Sequence, residues 1–184
     1  MVRVKKTQSG RLNQGDILRN VEYIEYVVEK NGKIEVSKIV FPLVIVLTQD
    51  CDLAQDYKFR WSKTKTSTQD KWLLSVLVAP IYNLEHIFTG EHLSSLNMQM
   101  NPISRKKSPG KNLVQNETPR YHYLEFEDHI PIVNSVVDFK HYFSVNVSQL
   151  KKHKHKNFVC QLADLYREDT SQRFSSYLAR IGLP

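Results

Sequence analysis

At 184 residues, with 41% hydrophobic and 24% charged side chains, the chain can bury a core of its own and is short enough for one domain. That balance excludes an intrinsically disordered chain, and no apolar run reaches the ~20 residues of a membrane-spanning helix. The net charge of +7 favours encounter with polyanions, nucleic acid above all, but could equally serve solubility alone.

The lead-in Met1-Val2-Arg3-Val4-Lys5-Lys6 carries no apolar segment behind it, so a secretory leader is not expected and a cytoplasmic protein is. Gln14-Gly15-Asp16 is a turn signal before a strand that begins at Ile17-Leu18 and continues through Val21 and Tyr23. Lys30-Asn31-Gly32-Lys33 predicts a hairpin, because Asn-Gly readily adopts the positive φ angles of a two-residue turn. The returning strand, Ile34 to Val40, leads past Pro42 into Leu43-Val44-Ile45-Val46-Leu47. An unbroken apolar run of that length predicts a central strand buried on both faces.

The run ends in Thr48, Gln49, Asp50, Cys51 and Asp52. A rigid element holding a hydroxyl, an amide, two carboxylates and a thiol at its end is the first site candidate of the sequence. On a continuing strand, Asp50 and Asp52 would share one side, opposite Cys51. The alternative is that the two carboxylates cap a helix starting at Leu53. A nucleophilic Cys51 would need a cation or helix N-terminus and a histidine in reach, and its acidic neighbours oppose the thiolate. As a packing thiol it would need neither. With no further acidic cluster to complete a coordination set, no metal site and no cofactor is expected.

Residues 54–71 read as a polar insertion that opens with a short helix, and Trp72 to Ile81 as a second buried strand. Asn83 to Met100 has apolar residues at helical spacing, interrupted by Gly90, and residues 101–119 form a second long insertion rich in Pro and Lys. Arg120 to Phe126, Ile130 to Val137 and His141 to Val147 read as strands. Asn146 to Leu150 reads as a turn or short helix, and Asn157 to Ile181 as helical with a break near Asp169. The whole predicts a mainly β protein: a small barrel of about six strands over residues 1–150, with a helical C-terminal appendage over 151–184.

His122, between Tyr121 and Tyr123 and after Arg120, is the histidine chosen as acid/base partner, and its aromatic strand would also suit stacking of unpaired bases; an ordinary half-exposed strand is the plain reading. Lys151, Lys152, His153 and Lys154 belong to a basic turn that could grip phosphates. Arg173 could bind phosphate, or pair with acidic neighbours along a helix.

The order GDIL, hairpin, Pro followed by VIVLTQ, a strand ending in APIY, and NSVVDFKHYFSVNVSQL resembles the MazF/PemK/Kid toxins, a compact SH3-like barrel. The resemblance runs loosely from Gln14 to Leu150. Phe41 stands where that family carries its catalytic arginine, with Lys38 the nearest cation, and Tyr82 or Asn83 where it carries a Ser/Thr. What the resemblance implies is an RNA-cleaving or other nucleic-acid-directed protein of a toxin–antitoxin or phage-defence system, dimeric and restrained by an antitoxin. TQDCDL is also similar to an SQxCD(I/L) signature of uncharacterised bacterial proteins that end in a tail like Arg173 to Pro184, which implies no activity. The catalytic expectation rests on Asp50, Cys51, Asp52 and His122. Thr48, Gln49, Lys38, Arg120, Tyr121, Tyr123, Lys151, Lys152, His153, Lys154 and Arg173 are the expected nucleic-acid or partner contacts. The rival reading is a non-catalytic module that docks through Thr48 to Asp52, and the third is a Cys51/His122 thiol hydrolase.

Overall fold

A computed structural model describes residues 1–61 and 68–180. Part of the Lys63 to Lys71 basic cluster, the middle of the 54–71 insertion, and Ile181 to Pro184 of the tail lie outside the described residues. The chain is mainly β. Its strands are β1 (Val4–Lys5), β2 (Asp16–Lys30), β3 (Lys33–Val46), β4 (Ser75–Asn83), β5 (Tyr121–Leu124), β6 (Ser135–Asp138), β7 (Phe143–Asn146) and β8 (Phe158–Leu162). They form one curled antiparallel half-barrel in the order β1-β8-β2-β3-β4-β6-β5, with β7 also on β4. Among the described residues five α-helices are appended: α1 (Asp50–Arg60), α2 (Leu84–Thr89), α3 (Ser108–Val114), α4 (Val147–Asn157) and α5 (Asp164–Leu178).

The predicted hairpin joins β2 to β3, with φ of 54° at Asn31 and 70° at Gly32. Along β3 the side chains alternate between two cores. Val44 and Val46 face one, together with Leu53 of α1, Ile87 of α2, Leu113 of α3 and Leu150 of α4. Ile45 and Leu47 face the other, with Leu124, Phe139, Leu162 and Phe174 of α5. This two-sided burial is the physical reason for the unbroken apolar run.

Pro42 sits in the interior of β3, where a missing N–H normally excludes proline. Its facing residue, Asn20, has φ of 54° and is skipped by the ladder, which passes from Arg19↔Leu43 to Val21↔Phe41, so no ladder bond is forfeited. Beyond this irregularity β2 and β3 pair only with each other. The arm they form leaves Ile24, Tyr26, Val27, Ile34, Val36 and Val40 exposed.

Four expectations need correction. Phe158 to Leu162 is not helical: it is strand β8, between β1 and β2, and contributes Cys160 and Leu162 to the second core. Its five residues had fitted a helical stripe because a short apolar run satisfies either period. Nor is there a break at Asp169, since α5 runs through it to Leu178. The 101–119 insertion contains α3, and Lys151 to Lys156 lie in helix α4 rather than in a turn. Gly90 does end α2 as its spacing suggested, at φ of 79°.

Candidate active site

Thr48 to Asp52 leaves the sheet rather than continuing it. Thr48 Oγ1 accepts the Leu77 amide at 2.7 Å, a side-chain bond that takes the place of the next ladder rung. Helix α1 then starts at Asp50, three residues before the predicted start, so the residue in the N-cap position is Gln49 and neither aspartate caps. Helical geometry fans the three side chains apart where a strand would have aligned Asp50 with Asp52. Asp50 turns inward. It accepts from Arg11 at 2.7 and 3.2 Å and from the Gln14 amide at 3.2 Å, and Arg167 stands 4.0 Å away. Burial raises its pKa, but the Arg11 bonds and charge outweigh that and leave it lowered. Cys51 and Asp52 are exposed; the thiol contacts only Gln49 Oε1 at 3.6 Å and Asp52 Oδ1 at 3.8 Å.

His122 is not brought to Cys51. It is 2% exposed, under α5, with Nε2 3.1 Å from Thr170 Oγ1. The Thr170 hydroxyl donates to the Tyr166 carbonyl at 2.8 Å, so the histidine must donate from Nε2, which leaves Nδ1 as a bare, unpartnered acceptor. Burial, and then the Arg173 charge, push the His122 pKa down to about 3.

The expected binding residues scatter. Lys38 pairs with Glu22 at 2.5 Å on the arm. Tyr121 is buried, with the Arg120 guanidinium 4.8 Å above its ring, and the Tyr123 amide donates to Asn116 Oδ1. Lys154 is buried on Asp16 at 2.7 Å, and so leaves the basic cluster. His153 Nε2 meets the Arg19 carbonyl at 2.7 Å, and Arg173 donates to the Thr118 and Tyr121 carbonyls. Lys152 is exposed, and Lys151 lies over the rings of Tyr57 and Trp61.

A different group of side chains converges at the mouth of the half-barrel. Phe41 of β3, Tyr82 of β4, Phe143 of β7 and Tyr23 of β2 wall a cleft of about 250 Å³. Phe41 stacks on Phe143 with centroids 5.1 Å apart, and Tyr23 meets Phe143 edge-on at 5.3 Å. A neighbouring hollow of about 400 Å³ shares Phe41, Tyr82 and Leu93 and adds His86 and His92. Tyr82 stands between two imidazoles, its ring 5.0 Å from that of His92 and 6.3 Å from that of His141.

Among the described residues the buried Tyr82 hydroxyl has no hydrogen-bond partner, and both buried nitrogens of His92 lack a well-aligned one, the His86 backbone being near enough only to oppose the fall in the His92 pKa. His141 Nδ1 lies 3.1 Å from Asp138 Oδ2, within ion-pair distance though not aligned as a hydrogen bond. Asp138 is itself gripped by Arg120 at 2.8 and 2.5 Å and by the Lys140 amide at 3.0 Å. Burial works to raise its pKa, yet the bonds from Arg120 and the neighbouring His141 bring it to about 2, so the carboxylate stays charged. Burial lowers the His92 pKa, against an opposing pull from Asp138, which keeps that imidazole neutral and able to accept a proton, though as a weaker base than a solvated one. Burial, and next the Asp138 charge, raise the Tyr82 pKa, which keeps the phenol protonated as a donor. A neutral imidazole and a carboxylate-held imidazole, one in each of two adjoining hollows, with a protonated phenol shared between them, are the parts of an acid/base site.

The sequence by itself does not single out His92, Asp138 or His141. One signal was there: Asp138 and His141, three apart, stand with Lys140 between the apolar pairs Val136-Val137 and Tyr142-Phe143, and a carboxylate beside an imidazole among buried residues needs a reason. His92 carried no local signal. Among the described residues no three His, Cys, Asp or Glu side chains come together to hold a metal ion, and no helix is long and apolar enough to cross a membrane. No protein-family model matches the sequence, and no curated protein does.

Proposed function

We propose that the protein is a nucleic-acid-directed component of a cytoplasmic toxin–antitoxin or phage-defence system, and that it cleaves single-stranded RNA without metal in the Tyr82/His92/His141 cleft. The observation that carries this reading is the pair of imidazoles flanking an unpartnered phenol, one of them backed by Asp138. Neutral His92 takes the proton of a ribose 2′-OH as that oxygen bonds to phosphorus. His141, oriented by Asp138, returns a proton to the departing 5′-oxygen as its bond to phosphorus breaks. The products are a 2′,3′-cyclic phosphate and a 5′-hydroxyl. Tyr82 donates to a non-bridging oxygen, a role for which a hydroxyl held protonated is suited. The walls of Phe41, Phe143 and Tyr23 offer an unpaired base an apolar, aromatic berth. The exposed aliphatic arm supports a protein partner as well.

The test is incubation of end-labelled single-stranded RNA with purified protein in the presence of a chelator. Cleavage should proceed, and His92→Ala or His141→Ala should slow it by roughly 10²- to 10⁴-fold, the range of general acid/base catalysis. Cleavage that needs an added divalent cation, or survives both substitutions, overturns the assignment. The rival reading of a binding module draws on the exposure of Gln49, Cys51 and Asp52 at the start of α1. It predicts RNA bound and intact, with binding weakened by Asp52→Ala.

A further inference from the structure

A second cluster lies outside the cleft. Tyr57 of α1 and Trp61, which caps the helix C-terminus, are one turn apart with ring centroids at 5.7 Å, and they remain 37% and 39% exposed. Trp72, before β4, is 38% exposed. These rings are held rather than mobile. Asp56, buried on α1, receives Arg60 at 2.6 Å and the Leu73 amide at 2.7 Å, which fastens the Trp72-Leu73 segment to the helix. Arg60 in turn lies over both indoles, 4.5 Å from the Trp72 centroid and 5.5 Å from that of Trp61. From α4, Lys151 reaches over Trp61 at 4.8 Å and Tyr57 at 5.6 Å.

Charge decides what fits. The exposed basic residues of the two helices are Lys58, Lys152, His155 and Lys156, against the single exposed acidic Asp52 on the first turn of α1, and the exposed pair Asp70 and Lys71 before Trp72 cancels in charge. Such a surface repels cations and suits a polyanion that also carries flat rings. We infer that Tyr57, Trp61 and Trp72, with Arg60 and Lys151 beside them, form a stacking platform for single-stranded nucleic acid, separate from the Tyr82/His92/His141 cleft. Bases stack on the exposed parts of the rings, while Lys151 and Lys152 meet the backbone phosphates. Rings already fixed by the Asp56–Arg60 pair lose little freedom on binding. Double-stranded nucleic acid, with its bases already stacked, offers this platform only phosphates.

Trp61 and Trp72 are the two tryptophans of the chain, so intrinsic tryptophan fluorescence reads the platform directly. The inference shares with the cleft reading its class of ligand, and the probe separates the two: a single-stranded oligothymidylate has no 2′-OH and cannot be cut by the cleft chemistry. Titration of the full chain should quench the fluorescence saturably, with affinity falling as salt rises. Anisotropy of a labelled oligothymidylate should report ~5- to 100-fold weaker binding for Trp61→Ala or Trp72→Ala, the range for losing one stacked base. Trp61→Phe should keep most of the affinity, which guards against a folding defect in the alanine variant. Lys151→Ala should reduce the salt slope by about one. Absence of quenching, equal affinity for duplex, or unchanged affinity in both alanine variants overturns the platform. RNA left intact while quenching persists overturns the cleft reading alone, and RNA cut without quenching overturns the platform alone.

Discussion

Acid should destabilise this fold through His122. Its imidazole is 2% exposed, its folded pKa is about 3, and the unfolded chain regains a value of about 6.5. Below pH 6.5 the unfolded state therefore takes up a proton that the folded state refuses, so the contribution of His122 is complete above pH 6.5 and is lost as pH falls towards 3. At 1.36 kcal/mol per pH unit, the loss relative to pH 7 is about 2 kcal/mol at pH 5 and about 3 kcal/mol at pH 4. Asp169 Oδ2, 3.9 Å from Nε2, would favour the charged ring, but it is solvent-exposed and burial with the Arg173 charge prevails. The assay is urea unfolding at pH 7, 6 and 5 for wild type and His122→Leu. The variant gives up the bond to Thr170 and should be less stable at pH 7, but its stability should fall between pH 7 and pH 5 by about 2 kcal/mol less than that of wild type. Other titrating groups, His92 among them, contribute equally to both proteins and cancel in the difference. Parallel curves for the two proteins would refute the argument.

Two further outcomes follow from the polar network and the backbone. Lys154→Met should cost about 3–5 kcal/mol in urea unfolding, because it strands the fully buried Asp16 carboxylate without its partner, and adding Asp16→Asn should recover part of the loss; a single variant as stable as wild type would show that water or Asn13 suffices for Asp16. Gly90→Ala should lower stability by more than about 1 kcal/mol, since φ is 79° and the new Cβ would run into the Met100 carbonyl; an unchanged melting temperature would mean that the Met100 segment yields freely.

Local chemistry alone determined a good part of this molecule. Asn31-Gly32 specified the hairpin because its turn needs positive φ at two successive residues. The run from Leu43 to Leu47 announced a strand with two buried faces because no polar side chain interrupts it. Gly90 stopped α2. What failed was whatever depended on neighbours distant in the chain. Phe158 to Leu162 became a strand because β1 and β2 offer it two open edges, which its own residues cannot express. Asp50 turned away from Asp52 because Arg11 and the Gln14 amide, 39 and 36 residues away, were there to receive it. Lys154, one basic residue among several in the sequence, found a buried carboxylate 138 residues off. The cleft shows the same division: the spacing of Asp138 and His141 was legible, whereas Tyr82 and His92 joined them only when β4 and the chain beyond α2 met β6 and β7 in space. Secondary structure answers to side chains within a few residues; an acid/base site answers to which strands the sheet sets side by side.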